Sequence, residues 1–167
     1  MSKKLLEERF EEMVQAYADK IYSLCYYMTE DPEAARDLTQ ETFLRAWKGL
    51  KKFRGESSVY TWLYKIALNR CRTYLKKRSK ERKVYIEELR EAGWEPSVDP
   101  PHDPPEAVSV RAALRELPPD YREVLLLYYW EEMSYEEIAE ALGVPMGTVK
   151  SRLHRAKEAL RRVLNEG

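Results

Sequence analysis

The sequence predicts an all-α chain: two small helical domains joined by an extended acidic, proline-rich linker. Three observations carry that expectation. Apolar residues recur at helical spacing in two blocks, with no period-two alternation to suggest a strand. Only six glycines stand among 167 residues, and the strong helix formers Glu, Arg, Leu and Ala are abundant. Between the blocks the composition turns abruptly to proline and acid.

Each element has a local cause. The first helix is expected over Leu5–Met28 and a second over Asp31–Gly49. Asp31 is placed to cap the second, with Pro32 at its first position, where a missing N–H costs nothing. Gly49 and Gly55 break the chain on either side of KKFR. A third helix is expected from Ser57/Ser58 to about Lys80, on the apolar stripe Trp62, Leu63, Ile66, Ala67 and Tyr74. Residues 83–106 then read as an extended connection, with at most one helical turn near Glu87. Five prolines and seven acids fall over residues 84–107 against a single arginine. Domain boundaries follow at 1–82 and 107–167.

In the second block Pro118-Pro119 closes one helix at Leu117 and opens the next, with Asp120 in its first turn. Ser134 with Glu137 three residues on forms a capping box for SYEEIAEAL, which buries Ile138, Ala139 and Leu142. Gly143 permits a tight turn, Val144 plugs the angle, and Pro145 and Thr148 open a long final helix. Val149, Leu153, Ala156, Leu160 and Val163 repeat there at four-three spacing as one inward stripe. This is the chemistry of a helix-turn-helix, whose helices cross closely on small and apolar residues.

Net charge is zero, with 29 basic and 29 acidic residues, but the charges are segregated. Residues 69–83 hold eight cations against Glu81, and residues 147–162 hold six against Glu158. Acids gather in the linker and at Glu131–Glu140. Two basic helices in separate blocks suit two contacts with a polyanion. Ser151, His154 and Arg155 fall on the outer face of the final helix, where base edges would be met. Lys150 and Arg152 lie at its margins, where phosphates run.

Several function classes are excluded. No apolar run approaches the about 18 residues of a membrane span, and the charged N-terminus is unlike a signal peptide. Cys25 and Cys71 read as reduced core residues, and His102 as a solvated loop residue without fellow ligands. No phosphate-cradling loop, nucleophile elbow or zinc-hydrolase motif is present, so no cofactor, metal or catalytic residue is expected.

The stretch LRELPPDYREVLLLYYWEEMSYEEIAEALGVPMGTVKSRLHRAKEALRR resembles the C-terminal DNA-binding domain (region 4) of extracytoplasmic-function (ECF) sigma factors of bacterial RNA polymerase. DPEAARDLTQETFLRAWKGL and KKFRGESSVYTWLYKIALNRCRTYLKKR are similar to their region 2 helical bundle. The resemblance implies promoter-specific transcription initiation in the cytoplasm, by binding core polymerase and promoter DNA. It implies contacts with the β′ clamp helices and the β flap of polymerase, and an anti-sigma partner. Asp37, Gln40, Glu41 and Leu44 match the polymerase-docking helix. Arg54, Ser57, Ser58, Val59, Trp62, Lys65, Asn69 and Arg70 match the part that opens the −10 element. Thr148, Lys150, Ser151, Arg152, His154 and Arg155 match the part that reads the −35 element. Val59 stands where the family often has Phe, and Met146 where Glu is common. A helix-turn-helix regulator that acts without polymerase, or a hairpin that packs on a protein, is the rival reading.

Overall fold

A computed structural model describes residues 2–55, 57–94 and 110–166. The described residues form α1 (Lys3–Thr29), α2 (Pro32–Leu50) and α3 (Val59–Glu91), then α4 (Val110–Glu116), α5 (Pro119–Leu125), α6 (Tyr135–Leu142) and α7 (Met146–Glu166). The all-α expectation holds. Asp31 caps α2 as the sequence predicts, its Oδ1 accepting from Glu33 N at 3.0 Å and Ala34 N at 3.4 Å. Ser58 caps α3 by accepting from Thr61 N at 3.0 Å. The capping box at α6 is complete: Glu137 N donates to Ser134 Oγ at 3.1 Å, and Ser134 N donates to Glu137 Oε1 at 3.0 Å. Gly143 closes α6 at φ 68°, a left-handed conformation that costs glycine nothing and a branched residue much.

α1, α2 and α3 form the first module, packed around Ile21, Leu24, Cys25, Met28, Leu63, Leu68 and Cys71. Removing such an aliphatic side chain from water contributes roughly 1.5–3 kcal/mol, so these few positions dominate the module's stability. α4 to α7 form the second, around Leu114, Val124, Leu125, Leu127, Ile138, Val149, Leu153 and Ala156. On α7 the inward stripe is fully buried at Val149, Leu153 and Ala156 and only half-buried at Leu160 and Val163.

One feature departs from expectation and two others add to it. First, α3 runs to Glu91, so residues 83–91 are helical and not an extended connection. No proline or glycine interrupts them, and oppositely charged residues recur four apart, as in Lys77–Glu81. The helix stops only where Gly93 takes φ 86° and Trp94 N donates back to Leu89 O at 2.8 Å. The rest of the expected linker, residues 95–106 with His102, lies outside the described residues.

Second, α5 continues through a π-helical stretch, Leu126–Trp130. Its widened turn sends Glu131 N to Leu126 O at 3.1 Å. Glu132 then adopts φ 52° and turns Met133 into the core.

Third, the two modules pack against each other. Arg122 of α5, nearly buried, donates to Met28 O at the end of α1 and to Leu117 O at 3.1 Å. Burial pulls this guanidinium below its ordinary range, and the nearby Glu30 carboxylate works the other way. Glu30 itself pairs with Arg111 at 3.3 Å and Arg115 at 3.0 Å. These long-range contacts join the two modules, whose relative arrangement the sequence leaves open.

Candidate nucleic-acid interface

The face of the first module is built where the chain leaves α2 and enters α3. Gly49 lies so close to Trp62 that a Cβ there would sit 3.1 Å from the indole. The absent side chain lets Trp62 lie flat. Trp62 stacks on Phe53 with ring centroids 4.8 Å apart, half-buried and half-presented. Beside this pair opens a cleft of about 480 Å³, bordered by Phe53, Arg54, Ser57, Trp62, Lys65 and Glu140. An aromatic floor with cations and a hydroxyl at the rim is chemically suited to an unstacked base and its phosphate.

Lys65 and Asn69 project from the outer side of α3 and are exposed; Val59 is half-buried against the core. Ser58 spends its hydroxyl on capping α3 and on Thr61, so its structural role is already filled. Arg70 turns the other way and donates to Glu41 Oε1 at 3.3 Å. That pair joins the expected −10 set to the expected docking set. Glu41 also holds Arg45 at 3.4 Å. Asp37 and Gln40 stand exposed on the same face of α2, as does Leu44, at 60%.

The second module contributes three carboxylates to the first module's face, and none was singled out from the sequence. Arg72 donates to Glu123 through Nη2 at 2.9 Å and Nε at 3.1 Å, a two-pronged pair. Glu123 is 1% exposed, and its burial raises the carboxyl above its ordinary range while Arg72 pulls it back. Tyr60 donates to Glu131 Oε2 at 2.8 Å, and Glu140 borders the cleft. Burial first, then the Glu131 carboxylate, push the Tyr60 hydroxyl well above its ordinary value. The clustering of acids over Glu131–Glu140 was the available signal, but nothing in the order of residues says which cations they meet.

α7 is different. Thr148 sits in its first turn, half-buried, with its N–H donating to Pro145 O at 3.0 Å. Ser151 turns its hydroxyl back to Thr148 O at 3.2 Å. Lys150, His154 and Arg155 are exposed and Arg152 is half-buried at the margin. Among the described residues no carboxylate pairs with Lys150, His154 or Arg155; the ion pair on this helix, Arg161–Glu158 at 3.0 Å, lies beyond them. Lys157 rests over the rings of Tyr128 and Tyr129 at 5.1 and 5.6 Å and fixes α7 against the π-helical turn.

The family model described as sigma-70 region 2 matches residues 13–81, and that described as sigma-70, region 4 matches residues 107–160. The ECF RNA polymerase sigma factor SigW of Bacillus subtilis (strain 168) is 35% identical, over 96% of this chain and 91% of that protein. The RNA polymerase sigma-H factor of Pseudomonas aeruginosa is 34% identical, over 93% of this chain and 86% of that one. Among solved structures, the sigma factor RpoE of Bartonella quintana, co-crystallised with the anti-sigma factor NepR, superposes with a TM-score of 0.71 at 25% identity. That match covers 95% of this chain and 98% of RpoE.

Proposed function

The chain belongs to the ECF sigma factors of bacterial RNA polymerase, which direct promoter-specific transcription initiation, and from that premise we propose how its residues divide the work. Residues 1–82 open the −10 element and dock on polymerase; residues 107–167 read the −35 element. The protein acts in the cytoplasm by binding alone, and no residue is assigned to chemical catalysis.

The observation that carries the reading is the cleft beside Trp62. A flipped base needs a π-face, an edge partner and a cation for its phosphate, and Trp62–Phe53, Ser57 and Arg54 supply them side by side. Ser58 fixes the start of α3 behind the cleft and Val59 packs against the core beside it, while Lys65 and Asn69 follow the strand along α3. Arg70, held by Glu41, positions the base face relative to the docking face. Asp37, Gln40, Glu41 and Leu44 form an acid–amide–acid patch with an apolar step, complementary to a basic partner helix of the β′ clamp. The β flap meets the second module. On α7, Ser151, His154 and Arg155 read bases, and Thr148, Lys150 and Arg152 hold phosphates. The structural kinship with RpoE, whose structure holds an anti-sigma factor, supports an anti-sigma partner for this chain as well.

Permanganate footprinting of holoenzyme on a panel of −10 variants tests the cleft. Arg54→Ala with Ser57→Ala should shift the preferred −10 sequence and leave −35 binding unchanged. An unaltered opening pattern would refute the assignment.

A further inference from the structure

The chain has two cysteines, Cys25 on α1 and Cys71 on α3, and both are free and wholly buried. They lie in the core of the first module, where the two helices pack. The thiols hydrogen-bond each other, the Cys71 S–H donating to the Cys25 sulfur. A buried side chain reaches roughly 6–12 others, so a second cysteine placed blindly in a chain of this length would meet the first about one time in twenty. Packing alone does not ask for the pair, since a small aliphatic side chain fills the same space without a reactive sulfur.

The two thiols are not equivalent. The hydrogen bond from Cys71 holds the Cys25 thiol below its ordinary range, although burial works against it. The same bond, with burial behind it, pushes the Cys71 thiol well above its own. The thiolate is the nucleophile in sulfur chemistry, so Cys25 is fitted to attack and Cys71 to keep its proton and follow. Their place in the fold is also particular. Three successive residues of α3 face three neighbours: Arg70 holds Glu41 of α2 at 3.3 Å, Cys71 meets Cys25 of α1, and Arg72 holds Glu123 of α5 at 2.9 Å.

We propose that Cys25 and Cys71 are an oxidation site, which hydrogen peroxide closes to a disulfide that staples α1 to α3. The Cys25 thiolate attacks one peroxide oxygen, the O–O bond breaks, and water leaves with the proton that Cys25 gave up; Cys25 becomes a sulfenic acid. The Cys71 sulfur then attacks the Cys25 sulfur, the S–O bond breaks, and a second water carries off the Cys71 proton. Two thiols lose two electrons, and one peroxide gains them and becomes two waters. Peroxide is close to water in size, so a brief local opening between α1 and α3 admits it. The two cysteines lie 46 positions apart, and tying them removes conformations from the unfolded chain and so stabilises the first module. The bridge needs none of the nucleic-acid contacts above.

The full chain, treated with hydrogen peroxide and quenched with catalase, tests the site. Peptide mapping after alkylation under denaturing conditions should find Cys25 joined to Cys71 within one chain. The melting temperature should rise by several degrees. Dithiothreitol should restore both thiols and the original melting temperature, which it would not do for an oxidised methionine. Cys71→Ala should stop at a sulfenic acid on Cys25, trapped by dimedone, with no rise in melting temperature. The mapping is made on the wild-type chain, so it stands even where Cys71→Ala folds poorly. Thiols that stay free while the exposed Met146 is oxidised would overturn the site, as would bridges that join separate chains. A Cys25–Cys71 bridge that leaves the melting temperature unchanged would overturn the staple.

Discussion

The two basic helices make an instructive pair. α7 offers the N-terminal half of its outer face bare: Lys150, His154 and Arg155 stand exposed, and the Arg161–Glu158 pair lies farther along the helix. α3 offers a face that its own chain partly covers, with Glu123 on Arg72, Glu131 on Tyr60 and Glu140 at the mouth of the cleft. Both helices have the same polarity of charge. What separates them is where the molecule's carboxylates have been sent. A helix-turn-helix is complete once its two helices cross, so its reading surface needs nothing more. A face that opens a duplex must hold cations, an aromatic stack and a cavity together. Such a surface attracts any acid the rest of the chain can bring to it.

The contrast can be pressed hardest at α2, the proposed docking helix. Asp37→Lys with Glu41→Lys should abolish holoenzyme formation and with it all −10 opening. The fold should survive, since Asp37 is exposed and Glu41 only half-buried, and binding of a −35 duplex by α7 should be untouched. Unchanged affinity for core polymerase would remove α2 from the docking surface.

A step smaller is expected on α7 alone. Arg155→Ala should relax preference at one base pair of the −35 element by about 1–3 kcal/mol, the worth of a bidentate pair with guanine. Lys150→Ala should weaken all sequences alike and lower the salt slope by about one unit. Titrations on −35 variants at several salt concentrations separate the two. Equal, sequence-blind losses would take Arg155 out of the base-reading set.

Next comes the covering of α3. Glu123→Gln, Glu131→Gln and Glu140→Gln together should raise the free chain's affinity for a −10 fork while leaving −35 binding alone. Among the described residues only Glu123 of the three is ion-paired, with Arg72, while Glu131 accepts from Tyr60 and Glu140 borders the cleft, so the gain should be several-fold and come mostly from Glu123. No change in fork binding would mean that the carboxylates do not compete with DNA.

The smallest effect is one of pH. The Glu123 carboxyl is raised in the folded chain, chiefly by burial. Its contribution to stability is therefore fully present below its unfolded pKa and is lost as pH rises through the folded value. On acidification from neutrality the wild-type chain should gain melting temperature relative to Glu123→Gln. Parallel curves for the two would show that Glu123 titrates alike folded and unfolded.

Much of this was legible in the residues themselves. Asp31-Pro32, the Ser134–Glu137 box and Gly143 announce helix ends by local chemistry, and local chemistry is what a sequence displays. The α7 stripe and its opposite face follow from period alone. The extension of α3 was harder, because the prolines that begin at Pro96 lend their character to a window that also holds Val84 to Glu91. The π-helical turn has no compositional mark: it arises because Met133 must reach the core from a chain already committed at Leu127. The pairing of Arg72 with Glu123 was out of reach for a different reason. Charges advertise their sign but not their partner, and these two residues lie 51 positions apart.

The seam between the modules also sets what an affinity measurement will report. Arg122, anchored in its own module on Leu117 O, must leave Met28 O of the first module before the halves can separate. A ligand that fits only separated halves is therefore bound by a minority of molecules. Its apparent dissociation constant is the site's own divided by that fraction, so a chain open about one part in a hundred binds about a hundredfold more weakly than its site would alone. Whatever first pries Arg122 loose makes every later partner bind more tightly, with no new contact of its own to that partner.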